Sequence, residues 1–145
     1  MAEVPLEDVA GAVLIEAARE AARHAYAPYS GFPVGAAVLL ANGDTIAGAN
    51  FENASFGLSL CAETVALASA NAAGRLRDVV ALAVAGGASP LQPCGRCRQM
   101  LAEVAQAAGR DILVYGAAAE GAAMDRHLAS ELLPLAFGPD ALGDA

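Results

Sequence analysis

Three cysteines and one glutamate set the first constraint on this 145-residue chain. Cys61 stands two residues before Glu63, and Cys94 and Cys97 form a Cys-x-x-Cys pair inside Pro93-Cys94-Gly95-Arg96-Cys97, about thirty residues downstream. Three thiolates are one short of the four ligands of a closed structural zinc site. His24 and His127, the candidates for a fourth protein ligand, lie in no ligand-like spacing. The pattern therefore describes zinc with one open position, the arrangement that activates water. Glu63 is then placed to take a proton from that water and pass it on. Two blander readings compete, a redox dithiol at Cys94-x-x-Cys97 and a buried apolar side chain at Cys61. A dithiol needs no third cysteine. Glu63 taken alone would be a first-turn acid favoured by the helix dipole; beside three thiolates it is a proton carrier.

Composition narrows the ligand and the compartment. Three cysteines cannot all pair within one chain, and Met-Ala-Glu-Val-Pro-Leu-Glu-Asp at the start has no apolar h-region. A reducing cytoplasm, with thiolates used as ligands, is the expectation. The formal net charge of −8 repels long nucleic acid and anionic membrane surfaces, which leaves a neutral small molecule. The longest interval without a charge, Val79 to Gly95, is broken by Gly86-Gly87, Pro90 and Pro93, so no membrane span is expected. Apolar residues make up 57% of the chain, many of them alanine, a surplus that fits extensive contacts between subunits.

Periodicity supplies the elements. Leu6, Val9, Val13, Leu14, Ala17, Ala18, Ala21 and Ala25 recur at helical spacing and predict a helix from Pro5 to about Ala25. Glu7 and Asp8 suit its first turn, Arg23 and His24 its last. Ala27 to Gly31 breaks into a loop. Val34 to Leu40, Asn42-Gly43 and Thr45 to Asn50 predict a hairpin, followed by a polar loop through Ser55. A helix is expected over Cys61–Ala73, a strand buried on both faces over Val79–Ala85, and a helix over Gly95–Ala108 ended by Gly109. A strand at Ile112–Tyr115, another near Met124 and a short helix at Leu128–Leu133 follow, with a loose tail after about 138. The alternation predicts one domain, 1–145, of α/β layers around a mixed sheet. It also sets the cysteines at helix starts, where free N–H groups favour thiolates.

The motif resembles that of the zinc-dependent nucleoside and nucleobase deaminases, three-cysteine variant. The nearest likeness is to the small homotetrameric cytidine deaminases, and it covers nearly the whole chain. It is carried by five blocks in order: Tyr26 to Ala37, Asn50-Phe51-Glu52-Asn53, Cys61-Ala62-Glu63, Pro93 to Gln99, and Glu131-Leu132-Leu133-Pro134-x-Ala136-Phe137. The resemblance implies a three-layer α-β-α sandwich with a mixed five-stranded sheet, one Zn2+ per subunit, and a homotetramer with shared active sites. It implies hydrolytic deamination of cytidine and 2′-deoxycytidine to the uridines, with release of ammonia. Cys61, Cys94 and Cys97 match the zinc ligands, and Glu63 the proton shuttle. Asn50 and Glu52 match the pair that binds the ribose hydroxyls, chiefly the 3′-hydroxyl. Phe32 matches an aromatic packed on the pyrimidine, the backbone of Ala62 a contact to the base, and Phe137 an aromatic reaching a neighbouring subunit's site. Blasticidin-type aminonucleoside deaminases share the cysteine site, but Glu52 favours the cytidine pattern. A noncatalytic zinc-binding module is the alternative from another class.

One position departs from the family. Three thiolates leave the zinc site with a charge of −1, and many relatives follow the catalytic glutamate with an arginine to offset it. Here that residue is Thr64, which offers only a neutral hydrogen bond. Arg98, directly after Cys97, is expected to carry part of the compensation.

Overall fold

In the computed structural model, which describes residues 6–143, the elements run α1 (Leu6–Ala22), β1 (Val34–Leu40), β2 (Thr45–Ala49), α2 (Ala62–Ala72), β3 (Val79–Gly86), α3 (Gly95–Ala108), β4 (Leu113–Ala117), β5 (Met124–Leu128) and α4 (Ala129–Leu132). The strands form one sheet in the order β2-β1-β3-β4-β5, with β3 and β4 parallel and the other neighbours antiparallel. The mixed five-stranded sheet read from the sequence is present. Among the described residues no helix is long and apolar enough to cross a membrane.

Side chains of a strand alternate between its faces, and here the alternation sorts them by size. Val38, Leu40, Leu82, Val84 and Val114 pack with Leu67, Leu101 and Val104 under α2 and α3. Ala37, Ala81, Ala83, Ala85 and Ala117 turn the other way, towards Leu14, Ile15 and Ala18 of α1. Small side chains let α1 settle close to the sheet. A Cβ on Gly35 would lie 1.7 Å from the Ala18 carbonyl oxygen, so only glycine fits there. Helices therefore cover both faces, and β3 is buried from each side, which explains its almost unbroken run of Val, Ala and Leu.

The hairpin forms as read. Gly43 has φ +93° and donates its N–H to the Leu40 carbonyl at 2.9 Å, while β1 and β2 pair Val38 with Ile46. Several boundaries differ from the sequence expectation, most by one residue. Helix α1 ends at Ala22 rather than Ala25, because Tyr26 is taken up elsewhere: its N–H donates to the Asn50 carbonyl at 3.0 Å and its carbonyl accepts from Glu52 at 2.9 Å. The expected start at Pro5 lies outside the described residues. Strand β4 begins at Leu113, one residue later than expected, and runs to Ala117. The tail expected to be loose after about 138 instead holds a turn of 3-10 helix at Pro139–Leu142, opened by proline, with Gly138 buried against Gln106.

Helix α2 lies on the hairpin through a second glycine. A Cβ on Gly48 would come within 2.5 Å of the Ala66 backbone nitrogen and 2.9 Å of the Ala62 carbonyl. Backbone cannot yield as a flexible side chain can. We expect Gly48→Ala to destabilise the protein by about 1–3 kcal/mol. Urea unfolding should show the midpoint lowered at an unchanged slope.

Candidate metal centre and active site

Cys61 and Cys94 occupy equivalent places: each is the N-cap residue of its helix, with extended backbone (φ −70°, ψ 153° and φ −67°, ψ 168°). Cys97 follows one turn into α3. The three Sγ atoms all lie within 4.8 Å of one another. The Cys61 and Cys94 sulfurs are 3.8 Å apart. Two thiolates bound at about 2.3 Å to a tetrahedral ion stand about 3.8 Å from each other, so the spacing suits zinc. The donor set fits as well: three soft sulfurs at two positive helix ends.

The protein alone resists ionising all three. Burial, then the neighbouring Glu63 charge, pushes the Cys97 thiol far above its usual range. Burial also raises Cys61, with Cys94 adding to it. At Cys94 burial acts upward too, but the Cys97 N–H, the Cys61 and Cys97 thiols and the Arg96 N–H outweigh it, and the thiol sits low. A divalent cation among the sulfurs inverts this balance, because a coordinating thiol is deprotonated outright.

The residues around the sulfurs divide unexpectedly. Thr64 is buried, and its Oγ1 lies 3.5 Å from the Cys97 Sγ. Arg98, expected to compensate the charge, directs its guanidinium to two carbonyls: Nε donates to Pro93 at 2.8 Å and Nη1 to Leu132 at 3.1 Å. Arg96 donates to the Ser59 carbonyl at 3.2 Å. Of Thr64, Arg96 and Arg98, the one bonded to a ligand sulfur is thus the neutral Thr64, and Arg98 is held by backbone acceptors that its place in the sequence did not reveal.

In front of the sulfurs opens a cavity of about 340 Å³. Phe32, Asn50, Glu52, Ala62, Glu63, Cys61 and Cys94 all line it, whereas Cys97, Thr64 and Arg98, also singled out in the sequence, do not. Phe137 is not among its lining residues. Its ring is 61% exposed, and its carbonyl accepts from Gln99 at 2.8 Å. Glu63 is 4% exposed, and burial pushes its carboxyl above the usual range; its contact with the Cys97 thiol offsets part of that rise.

Strand geometry explains Asn50 and Glu52. Beyond β2 the chain stays extended, bridged to Tyr26 on one side and to Leu60 on the other. Phe51 and Leu60 exchange N–H···O bonds of 2.9 and 2.8 Å. Alternate residues of an extended segment share a face, so Asn50 and Glu52 both reach the cavity while Phe51 meets the Tyr26 ring at 6.0 Å. Asn50 is already engaged: Oδ1 accepts from Val34 N–H at 2.9 Å, and Nδ2 donates to the Phe32 carbonyl at 3.0 Å. A primary amide carries two N–H donors, and one remains. Glu52 accepts from Tyr29, Ser30 and the Ser30 hydroxyl. With about four lone-pair sites on a carboxylate, one acceptor position is left. One donor and one acceptor together suit a hydroxyl, which can take both.

Ser30 and the apolar wall of Val34, Val84 and Leu91 also line the cavity and were not singled out in the sequence. The valines read there only as strand positions. For Ser30 a signal existed: a hydroxyl two residues before Phe32 can bond the backbone N–H there, as it does at 3.0 Å.

Residues 11–114 match the family described as the cytidine and deoxycytidylate deaminase zinc-binding region. The chain belongs to this deaminase family. It is 47% identical over 133 residues to the cytidine deaminase of Halalkalibacterium halodurans, covering 91% of this chain and 97% of that one. To the cytidine deaminase of Mycobacterium tuberculosis it is 42% identical, covering 86% and 87%. The crystal structure of the Burkholderia pseudomallei cytidine deaminase superposes with a TM-score of 0.80 at 44% identity, covering 87% of this chain and 98% of that one. The deaminase fold and its zinc-binding region are thus both present, with Thr64 beside a ligand sulfur. We expect Thr64→Val, which keeps shape but removes the donor, to weaken zinc binding by about tenfold. Competition against a chromogenic chelator measures it.

Proposed function

We propose that this chain catalyses zinc-dependent hydrolysis of cytidine and 2′-deoxycytidine to uridine and 2′-deoxyuridine, releasing ammonia, in pyrimidine salvage. The observation that carries the reading is the juxtaposition of a three-sulfur cluster, two of whose cysteines line the cavity, with a buried carboxylic acid and a donor–acceptor pair suited to a sugar hydroxyl in that same cavity. The about 340 Å³ of space lies at the small end of ligand sites, which suits a nucleoside and not a polymer.

Cys61, Cys94 and Cys97 hold the ion. When bound, zinc supplies a Lewis acid that makes water a nucleophile near neutral pH. Glu63 handles the protons. Its carboxylate accepts one from the attacking water and gives it to the ring nitrogen next to carbon 4; after water's oxygen has added at carbon 4, the carboxylate takes the proton of that new hydroxyl and delivers it to the amino group, so that the C4=O bond forms as the C4–N bond breaks and ammonia leaves. A carboxyl raised by burial is suited to this exchange, since its affinity for a proton moves towards the operating pH. The remaining N–H of Asn50 and the remaining lone pair of Glu52 take the 3′-hydroxyl, common to both sugars. Phe32, 43% exposed on the cavity wall, packs on the pyrimidine, and the Ala62 backbone contacts the base. Val34, Val84 and Leu91 keep the reacting end apolar. Thr64 and the N-termini of α2 and α3 temper the negative charge of the sulfur cluster, with Arg98 contributing at longer range.

The active unit is a cytoplasmic homotetramer of a single domain spanning 1–145, in which Phe137 completes the cavity of a neighbour. Its exposed ring, and a Leu135 side chain held wholly outside at φ 55°, support that reading. Sedimentation velocity should return a tetramer at micromolar concentration; a monomer would remove the shared site. For the chemistry, Glu63→Gln should keep its zinc content while turnover falls by about 10²–10⁴-fold. The near-ultraviolet absorbance lost as cytidine becomes uridine reads the rate. Near-normal turnover in that variant would overturn the role of Glu63.

A further inference from the structure

The Ser30 hydroxyl joins the two ends of the proposed nucleoside site. It accepts the Phe32 N–H at 3.0 Å and donates to Glu52 Oε2 at 2.5 Å. The Tyr29 and Ser30 N–H groups donate to Glu52 Oε1 at 3.0 and 3.1 Å. A serine hydroxyl has a single hydrogen. With its hydrogen on Glu52 and one lone pair held by the Phe32 N–H, it is tied at both ends and has no donor left for another group. Among the described residues, the donors to the Glu52 carboxylate all come from Tyr29 and Ser30, and the Ser30 hydroxyl is the one that holds Oε2.

Glu52 has somewhere else to go. A second cavity, of about 320 Å³, lies beside the first, and Ser30, Glu52 and Ser59 line both. Tyr29 and Phe56 complete it, their rings in edge contact at 5.8 Å. Glu52 borders both spaces, fastened by Ser30, which borders both as well.

We propose that Ser30 is a positioning residue that fixes Glu52 as an obligate acceptor, and thereby sets the selectivity of this pocket for ligands with a free sugar hydroxyl over those with hydrogen or an acceptor-only group at that place. The inference rests on Glu52 being the acceptor for the sugar hydroxyl. Hydrogen bonds from the Ser30 side chain, then from the Ser30 backbone, hold the Glu52 carboxyl below its usual range against opposing desolvation, with the Tyr29 backbone adding to them, which is consistent with a carboxylate that only accepts. A site built to bond a substrate hydroxyl rejects the analogue lacking it, because its own polar groups are then left unpaired.

The zinc-loaded protein, Ser30→Ala and Ser30→Thr, each with cytidine and with 3′-deoxycytidine, test this. Ser30→Ala should raise KM for cytidine by about tenfold, the value of a hydrogen bond to a charged group, with a smaller change in kcat. The loss on 3′-deoxycytidine, which has no such bond to lose, should be far smaller, so discrimination between the two collapses. Ser30→Thr should restore it. Calorimetric binding of uridine and 3′-deoxyuridine should give the same pattern without any turnover. An equal loss on both substrates would reduce Ser30 to a loop fastener and overturn the inference; so would no loss on either. Wild-type protein that fails to distinguish cytidine from 3′-deoxycytidine would overturn the Glu52 reading itself, and the two failures are thereby told apart. Should Ser30→Ala not fold, Ser30→Cys, similar in size and a weak donor, is judged by the same criteria.

Discussion

Three sulfur atoms from two different helices have to come within one ion's reach, and most of the architecture follows from that demand. Each helix supplies its N-cap residue and α3 adds Cys97 from its first turn, because there unpaired N–H groups and the positive dipole end favour thiolate character. The helices must then lie side by side with their starts level, which the sheet beneath arranges. Gly48 lets α2 touch the hairpin backbone, and the large residues Leu82, Val84, Leu101 and Val104 fill the space below both helices. A shift of α2 by the width of one methyl group would be felt at Cys61 and Glu63 together.

The two faces of the sheet do different work. Under α2 and α3 the packing is deep and the side chains large, which holds the metal ligands rigidly. Under α1 it is mostly alanine, with Tyr115 set against Gly11, so that helix and sheet meet closely, almost backbone to backbone at Gly35. That side also lets Arg19 reach past the end of α1 to the Ala118 and Gly121 carbonyls, closing the far rim of the sheet. The cavity opens where the hairpin, the loop before it and the start of α2 converge, with Asn50 and Glu52 set on backbone already tied by bridges.

Much of this was legible in the sequence because the signals were local. Ligand spacing, the Asn42-Gly43 turn and the glycine after Ala108 each state their structure within a few residues. The end of α1 was not, since the helical pattern persists to Ala25 and only the pairing of Tyr26 with Asn50 and Glu52 overrides it. The partners of Arg98 were hidden for the same reason: Leu132 lies 34 positions away, and its carbonyl is brought near only by α4 folding back on α3. Ser30 looked like part of a loop because its use depends on Glu52, 22 positions on. Long-range hydrogen bonds leave no period to detect.

Asn50 shows how little slack this design contains. Its amide oxygen and one of its N–H groups already stitch the end of β2 to Val34 and Phe32, so the residue proposed to hold a sugar hydroxyl is also a seam in the backbone. Hydrolysis of that side-chain amide to an acid, a familiar lesion of ageing proteins, would turn the donor facing the Phe32 carbonyl into a second acceptor. Two oxygens would then oppose each other across the seam, and the aromatic platform and the sugar contact would loosen in one event. A protein proposed to remove amino groups from its ligand thus depends on keeping one of its own.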